Sequence, residues 1–130
     1  MQALLPPSWP RPKGYANGVS ARGRMVFVAG MIGWDAHGEF HTDDLVGQVR
    51  QALQNIVEVL EAGDAGPEHI VRLTWFFVDK QEYVAAMRDI GKVFRELIGN
   101  YNIAMTAFQV ADLVEDRAKV EIEATAVVPD

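Results

Sequence analysis

At 130 residues, with 49% hydrophobic and 23% charged residues, the chain has the size and composition of one folded domain with its own core. The absence of cysteine excludes disulfides, thiolate metal sites and cysteine nucleophiles. A net charge of −6 and a pI near 5.0 argue against a nucleic-acid partner, because the small basic group at Arg11, Lys13, Arg22 and Arg24 reads as solvated charge.

Residues 1–13 are expected to form an extended arm, since Pro6, Pro7, Pro10 and Pro12 bar a helix interior. Trp9 should pack on the body or on a neighbouring subunit. Residues 15–21 alternate as a strand, Arg22-Gly23-Arg24 turns the chain, and residues 25–29 return, which predicts a β-hairpin. Asp35-Ala36-His37-Gly38 is a second turn. Thr42-Asp43-Asp44 opens a helix, with Thr42 as the expected cap. Leu45, Val49, Leu53, Ile56, Val57 and Leu60 then share one helical face, and Gly63 ends it. Residues 70–78 read as a strand apolar on both faces at Trp75, Phe76 and Phe77. Residues 81–98 form a second helix with Tyr83, Met87, Ile90, Phe94 and Leu97 as its stripe, closed by Gly99-Asn100. Residues 104–110 and 119–128 are the last strands. The order ββαβαββ predicts a single two-layer α+β domain over residues 1–130, with a mixed sheet and two helices on one face. The opposite sheet face has apolar residues and no element to cover it, which predicts an oligomer.

No stretch approaches about 18 uninterrupted apolar residues, and the amino end lacks a signal-peptide core, so a cytoplasmic protein without a membrane partner is expected. His37, His41 and His69 fall in no metal-ligating pattern. Ser8 and Ser20 lack a nucleophile-elbow context, and no glycine-rich nucleotide loop is present. No metal and no cofactor are therefore expected.

Five segments in order resemble the motifs of the Rid family (RidA, YjgF, UK114), the small imine and enamine deaminases. They are Gly14-Tyr15-Ala16-Asn17-Gly18-Val19, Val26-Phe27-Val28-Ala29-Gly30-Met31-Ile32, the helix and strand patterns at 48–60 and 70–79, Ile103-Ala104-Met105-Thr106, and Val120-Glu121-Ile122-Glu123-Ala124. The resemblance implies the chorismate-mutase-like YjgF fold and a homotrimer with small-molecule clefts between subunits. It implies that Glu121 orients the attacking water, while Tyr15, Gly30, Met31, Met105 and Thr106 line the substrate. Some relatives have been called ribonucleases, which the acidic balance argues against here.

The chain departs from the family where Met105 stands in place of the carboxylate-binding arginine, Met31 in place of a common glutamine, Ala29 in place of a common serine, and Met87 where some relatives have asparagine. Losing the arginine removes a bidentate, charge-assisted pair of roughly 1.5–3 kcal/mol. The methionines are either a soft apolar wall or core filler. Glu121 and Glu123 share one strand face, either in the cleft, as a solvated stripe, or paired with Arg117 or Lys119. Arg72 is expected in a salt bridge to one of them. With these departures, the resemblance implies a hydrolase acting on an apolar or aromatic-derived imine or enamine, closer to aminomuconate-type than to 2-aminoacrylate deaminases. The alternative is a non-catalytic trimer that binds a ligand or partner.

Overall fold

The structure, a computed structural model, describes all 130 residues. Strands β1 (Gln2–Leu4), β2 (Gly18–Ser20) and β3 (Arg24–Ile32) precede helix α1 (Leu45–Ala62). Strand β4 (Ile70–Phe77), helix α2 (Lys80–Leu97) and strands β5 (Ala104–Gln109) and β6 (Val120–Val128) follow. Both helices pack on one face of a four-stranded mixed sheet ordered β3-β6-β4-β5, in which only β4 and β5 run parallel.

The two-layer α+β architecture is as expected, but the hairpin is not. Residues 18–20 pair antiparallel with β1, and β3 pairs with β6. Gly23, at φ 147, turns the chain between them, and a Cβ there would collide with the Val128 carbonyl oxygen. The alternation of residues 15–21 identified a strand, but the partner is chosen by which apolar surface each strand covers, and β3 belongs to the core. The first residues of the arm are extended, as expected, and are tied down as β1. Trp9 remains 57% exposed in the single chain.

The core lies between helices and sheet. Val49, Leu53, Ile56 and Leu60 of α1 pack against Ile70 and Leu73 of β4 and Val120, Ile122 and Ala126 of β6, all fully buried. Asp44, rather than Thr42, caps α1. Its carboxylate accepts from the Gly47 N–H at 2.9 Å, while Thr42 Oγ1 accepts from the Asp44 N–H. The capping oxygen must reach an N–H of the first turn, and the helix starts late enough that only Asp44 does. In the turn at 35–39 the backbone N–H groups of Glu39 and His37, with the His41 ring, hold the Asp35 carboxyl down at about 2, so this turn weakens only as pH falls below the ordinary 3.8 towards that value.

Three polar side chains fix α1 to the sheet. Arg24 donates to the carbonyls of Gly63 and Asp64 at 2.8 and 3.1 Å, pinning the start of β3 to the carboxyl end of α1. Asn55 donates to the carbonyls of Ile32 and Trp34 at 3.1 and 2.8 Å, where β3 ends. Gln48 is the one polar residue wholly buried. Its amide donates to the carbonyls of Thr42 and Arg117 at 3.1 and 3.0 Å, and its Oε1 accepts from the Lys119 N–H at 2.8 Å.

Replacing Gln48 leaves three backbone groups without partners, and an unsatisfied buried group costs about 1–3 kcal/mol. Gln48→Leu should therefore lower stability by roughly 3 kcal/mol, measured as a shift of the urea midpoint at fixed protein concentration with little change in slope.

Candidate functional site

A cavity of about 510 Å³ lies between α2 and the β5 edge of the sheet. Local geometry builds its mouth. The Ala16 N–H donates to the Ile103 carbonyl at 2.8 Å, laying Lys13, Gly14 and Tyr15 across the start of β5. Gly99, at φ +106, reverses the chain after α2, and a Cβ there would stand 2.8 Å from the Tyr101 ring. Trp75 and Met105 contribute from the sheet. Met105 pairs with Leu73 and so shares its helix-side face. Tyr83, Met87 and Phe94 contribute from α2. The Tyr83 ring stacks on Phe77 at 4.1 Å, and burial pushes its hydroxyl pKa up. Trp75 is 3% exposed and its indole N–H has no acceptor in the protein. The stripe expected on α2 is thus only partly core: Ile90 is buried, while Met87 is 52% exposed above the cavity.

A second locus lies on the opposite face of the sheet. Val120, Ile122 and Ala124 point into the core, so Glu121 and Glu123 point away from the helices. Opposite them β3 carries a bulge: Val28 pairs with Ala124 and Met31 with Ile122, leaving one extra residue between. The bulge brings Gly30 against Glu121. A Cβ on Gly30 would meet Glu121 Oε2 at 2.7 Å and its Cδ at 2.8 Å. Neither glutamate takes the cationic partner considered for it. Lys119 bonds Glu82 at 3.1 Å and Arg117 bonds Asp43 at 3.0 Å. Arg72 forms no salt bridge at all. It lies beside Thr125 and Ala104, two register rows away from Glu123.

The structure therefore separates the residues singled out from sequence. Tyr15, Met87 and Met105 converge on the cavity. Gly30 and Glu121 meet on the open face, where Thr106 also points, in the row of Thr74 and Glu123. Met31 joins neither locus, because its register partner is Ile122 and it packs on the core. A carboxylate lying on a bare stretch of backbone, with no cation to neutralise it, can hold a water and exchange protons with it. His37, His41 and His69 make no metal centre, and no group of three or more His, Asp or Glu could hold an ion. Lys13, Trp75, Arg95 and Tyr101 of the cavity were not legible as site residues. One signal was available: Gly91, four residues before Arg95 and inside a helix, is where the arginine folds back, 3.2 Å from the missing Cβ.

The family model described as Endoribonuclease L-PSP matches residues 10–128. A RutC family protein of Pyrococcus horikoshii is 32% identical over 119 residues, 90% of each chain. The 2-iminobutanoate/2-iminopropanoate deaminase of Salmonella typhimurium is 32% identical over 113 residues, 87% of this chain and 86% of its own. The crystal structure of YyfB from Yersinia pestis, of the conserved Rid protein family and of unknown function, superposes with a TM-score of 0.86 at 29% identity over 98% of both chains.

The Gly30–Glu121 contact is testable without any substrate. Gly30→Ala should destabilise by about 1–3 kcal/mol through overpacking. Glu121→Ala in the same chain should relieve much of that cost, giving a coupling of at least about 0.5 kcal/mol in a double-mutant cycle from urea unfolding.

Proposed function

The chain belongs to the Rid (YjgF/UK114) family, and we propose that within it this protein is a hydrolytic deaminase of an imine or enamine. The observation that carries the proposal is the Glu121 carboxylate, seated on the Gly30 backbone, unpaired, on a sheet face that no element of the chain covers. Glu121 takes a proton from water as the oxygen adds to the C=N carbon, then returns a proton to the nitrogen. As the carbinolamine collapses to a carbonyl, its hydroxyl proton passes through Glu121 to the nitrogen, ammonia leaves, and no redox change occurs. An enamine enters the same route after tautomerising to its imine. The reaction requires no cofactor, since the C=N carbon is already electrophilic.

A complete site is proposed to need more than one copy. Within one chain the cavity and Glu121 lie on opposite sides of the sheet. The open face also carries Met25, Phe27 and Phe108, exposed by 55%, 69% and 41%, with Phe76 set edge-on to Phe108 at 5.0 Å. Burying that face against another copy removes apolar area from water at about 25 cal/mol per Å². We propose that the assembly also brings Glu121 of one chain to the Tyr15–Met105 cavity of the next. We take the assembly to be a trimer acting on a small molecule in the cytoplasm. Neither nucleic acid nor membrane is assigned as partner. The net charge of −6 weighs against the nuclease activity in the family description, and no helix is long and apolar enough to cross a membrane.

One observation favours a second reading, a trimer that binds its ligand without turnover. Met105, beside Met87, leaves the cavity floor without a charge at the position where active relatives are expected to carry arginine.

Sedimentation equilibrium at micromolar concentration should return a trimer mass; a monomer mass would overturn the shared site. Ammonia release from an aromatic imine, generated in place by an amino-acid oxidase, should fall about a hundredfold or more in Glu121→Gln. If the wild-type trimer binds a keto-acid analogue but releases no ammonia above buffer, the second reading holds.

Small substrates should respond differently. Wild type should not accelerate hydrolysis of 2-iminopropanoate, whereas Met105→Arg should gain weak activity by restoring a bidentate anchor. Adding Glu121→Gln should remove that gain. The buried guanidinium should also lower the urea midpoint modestly.

A further inference from the structure

We propose that the cavity between α2 and β5 is a site for an aromatic carboxylate, held at the rim by Arg95 and Lys13 rather than at the floor. This rests on taking the Tyr15–Met105 cavity as the ligand half of the site, and it assigns the class of ligand that half accepts.

Three observations converge. The first is charge. The chain has 18 acidic residues against 12 basic ones, yet no Asp or Glu lines this cavity, while Lys13 and Arg95 both do. A wall that is positive on an acidic protein focuses potential on an incoming anion. The second is availability. Neither Lys13 nor Arg95 has an acidic partner, and Arg95 lies back over Gly91, with Nη1 3.2 Å from where a Cβ would stand. A Cβ at residue 91 would make the guanidinium give way slightly, so the helix glycine leaves the arginine room to fold back over it. The third is the interior. Trp75, Tyr83, Phe94 and Met105 form an apolar, largely aromatic lining.

The polarity of the site follows. With methionine on the sheet and cations at the rim, a ligand enters ring first and keeps its carboxylate outward. Arg95 can grip that carboxylate through two parallel N–H donors, and Lys13 adds a point charge. A ring fills the apolar space and accepts contacts from the methionine sulfurs and aromatic edges. A two- or three-carbon acid has no ring to fill the apolar interior and gains only the anchor at the rim. The cavity thereby selects for aromatic acids over short ones and over neutral analogues of the same shape.

Calorimetry on the full-length protein tests this with three probes: 3-phenylpropanoate, its neutral amide 3-phenylpropanamide, and propanoate. The aromatic acid should bind about tenfold or more tighter than either of the others, the ratio expected from one charge-assisted anchor. Arg95→Gln should weaken the acid about tenfold and leave the amide unchanged, and Lys13→Gln should act in the same direction by less. Equal affinities for acid and amide in wild type, or an acid affinity unmoved by Arg95→Gln, would overturn the assignment. Should Arg95→Gln lose its fold by circular dichroism, raising salt to about 0.5 M decides, since only an anion held by exposed cations loses its advantage over the amide. Glu121→Gln separates this proposal from the deaminase assignment. Selective binding of the acid retained there, with no ammonia from the phenyl-substituted imino acid even in wild type, sinks the deaminase and leaves the anchor. Ammonia release without acid selectivity does the reverse.

Discussion

Gln48 is the interaction on which the placement of the rest depends. A wholly buried amide on α1 spends both of its ends on backbone, holding the carbonyls of Thr42 and Arg117 and the N–H of Lys119. Those contacts bind the segment before the helix and the segment before β6 to one side chain. Gly33 lies so close that a Cβ there would stand 2.6 Å from Gln48 Cβ, so the exit of β3 is set against the same residue. The entry to β6 and the exit from β3 frame Glu121 and Gly30. A buried polar group that is fully satisfied specifies one arrangement, because every alternative strands a donor or an acceptor.

The bulge in β3 sets Gly30 against Glu121 within that frame. A regular ladder would give Gly30 an ordinary cross-strand partner on β6. One extra residue between the Val28–Ala124 and Met31–Ile122 pairs instead sets bare backbone against the Glu121 carboxylate and returns Met31 to the core face. Bulges re-aim side chains in this way while leaving the rest of the sheet intact. The same device decides that Met31, and not Gly30, takes the core face.

Carboxylate and cations lie apart on this chain: Glu121 is on the open sheet face, whereas Lys13 and Arg95 line the cavity. Positive charge is absent from the β5 position at Met105 and present instead on α2 and on the segment before Tyr15. A helix can carry a cation on its exposed face without desolvating it, which a sheet residue beneath Trp75 and Phe94 cannot do as cheaply. Charge on this side of the molecule therefore sits at the rim of the apolar surface and not within it.

Order and type of the major elements were determined by the sequence. The apolar spacing from Leu45 to Leu60, the alternation from Val120 to Val128 and the glycines at 63 and 99 are local signals, and each ends where local chemistry ends it. The family motifs likewise marked Tyr15, Gly30, Met105 and Glu121. Pairing and assembly of the site were decided only by tertiary structure. Nothing local distinguishes β2 as a partner of β1 from β2 as a partner of β3, because register is set by which faces become buried together. Nor does a one-dimensional pattern reveal that Tyr15 and Met105 fall on one side of the sheet and Gly30 and Glu121 on the other. A bulge shifts the alternation by one residue, and Gln48, polar on an apolar face, has meaning only once the backbone it satisfies, up to 71 residues away, has folded against it.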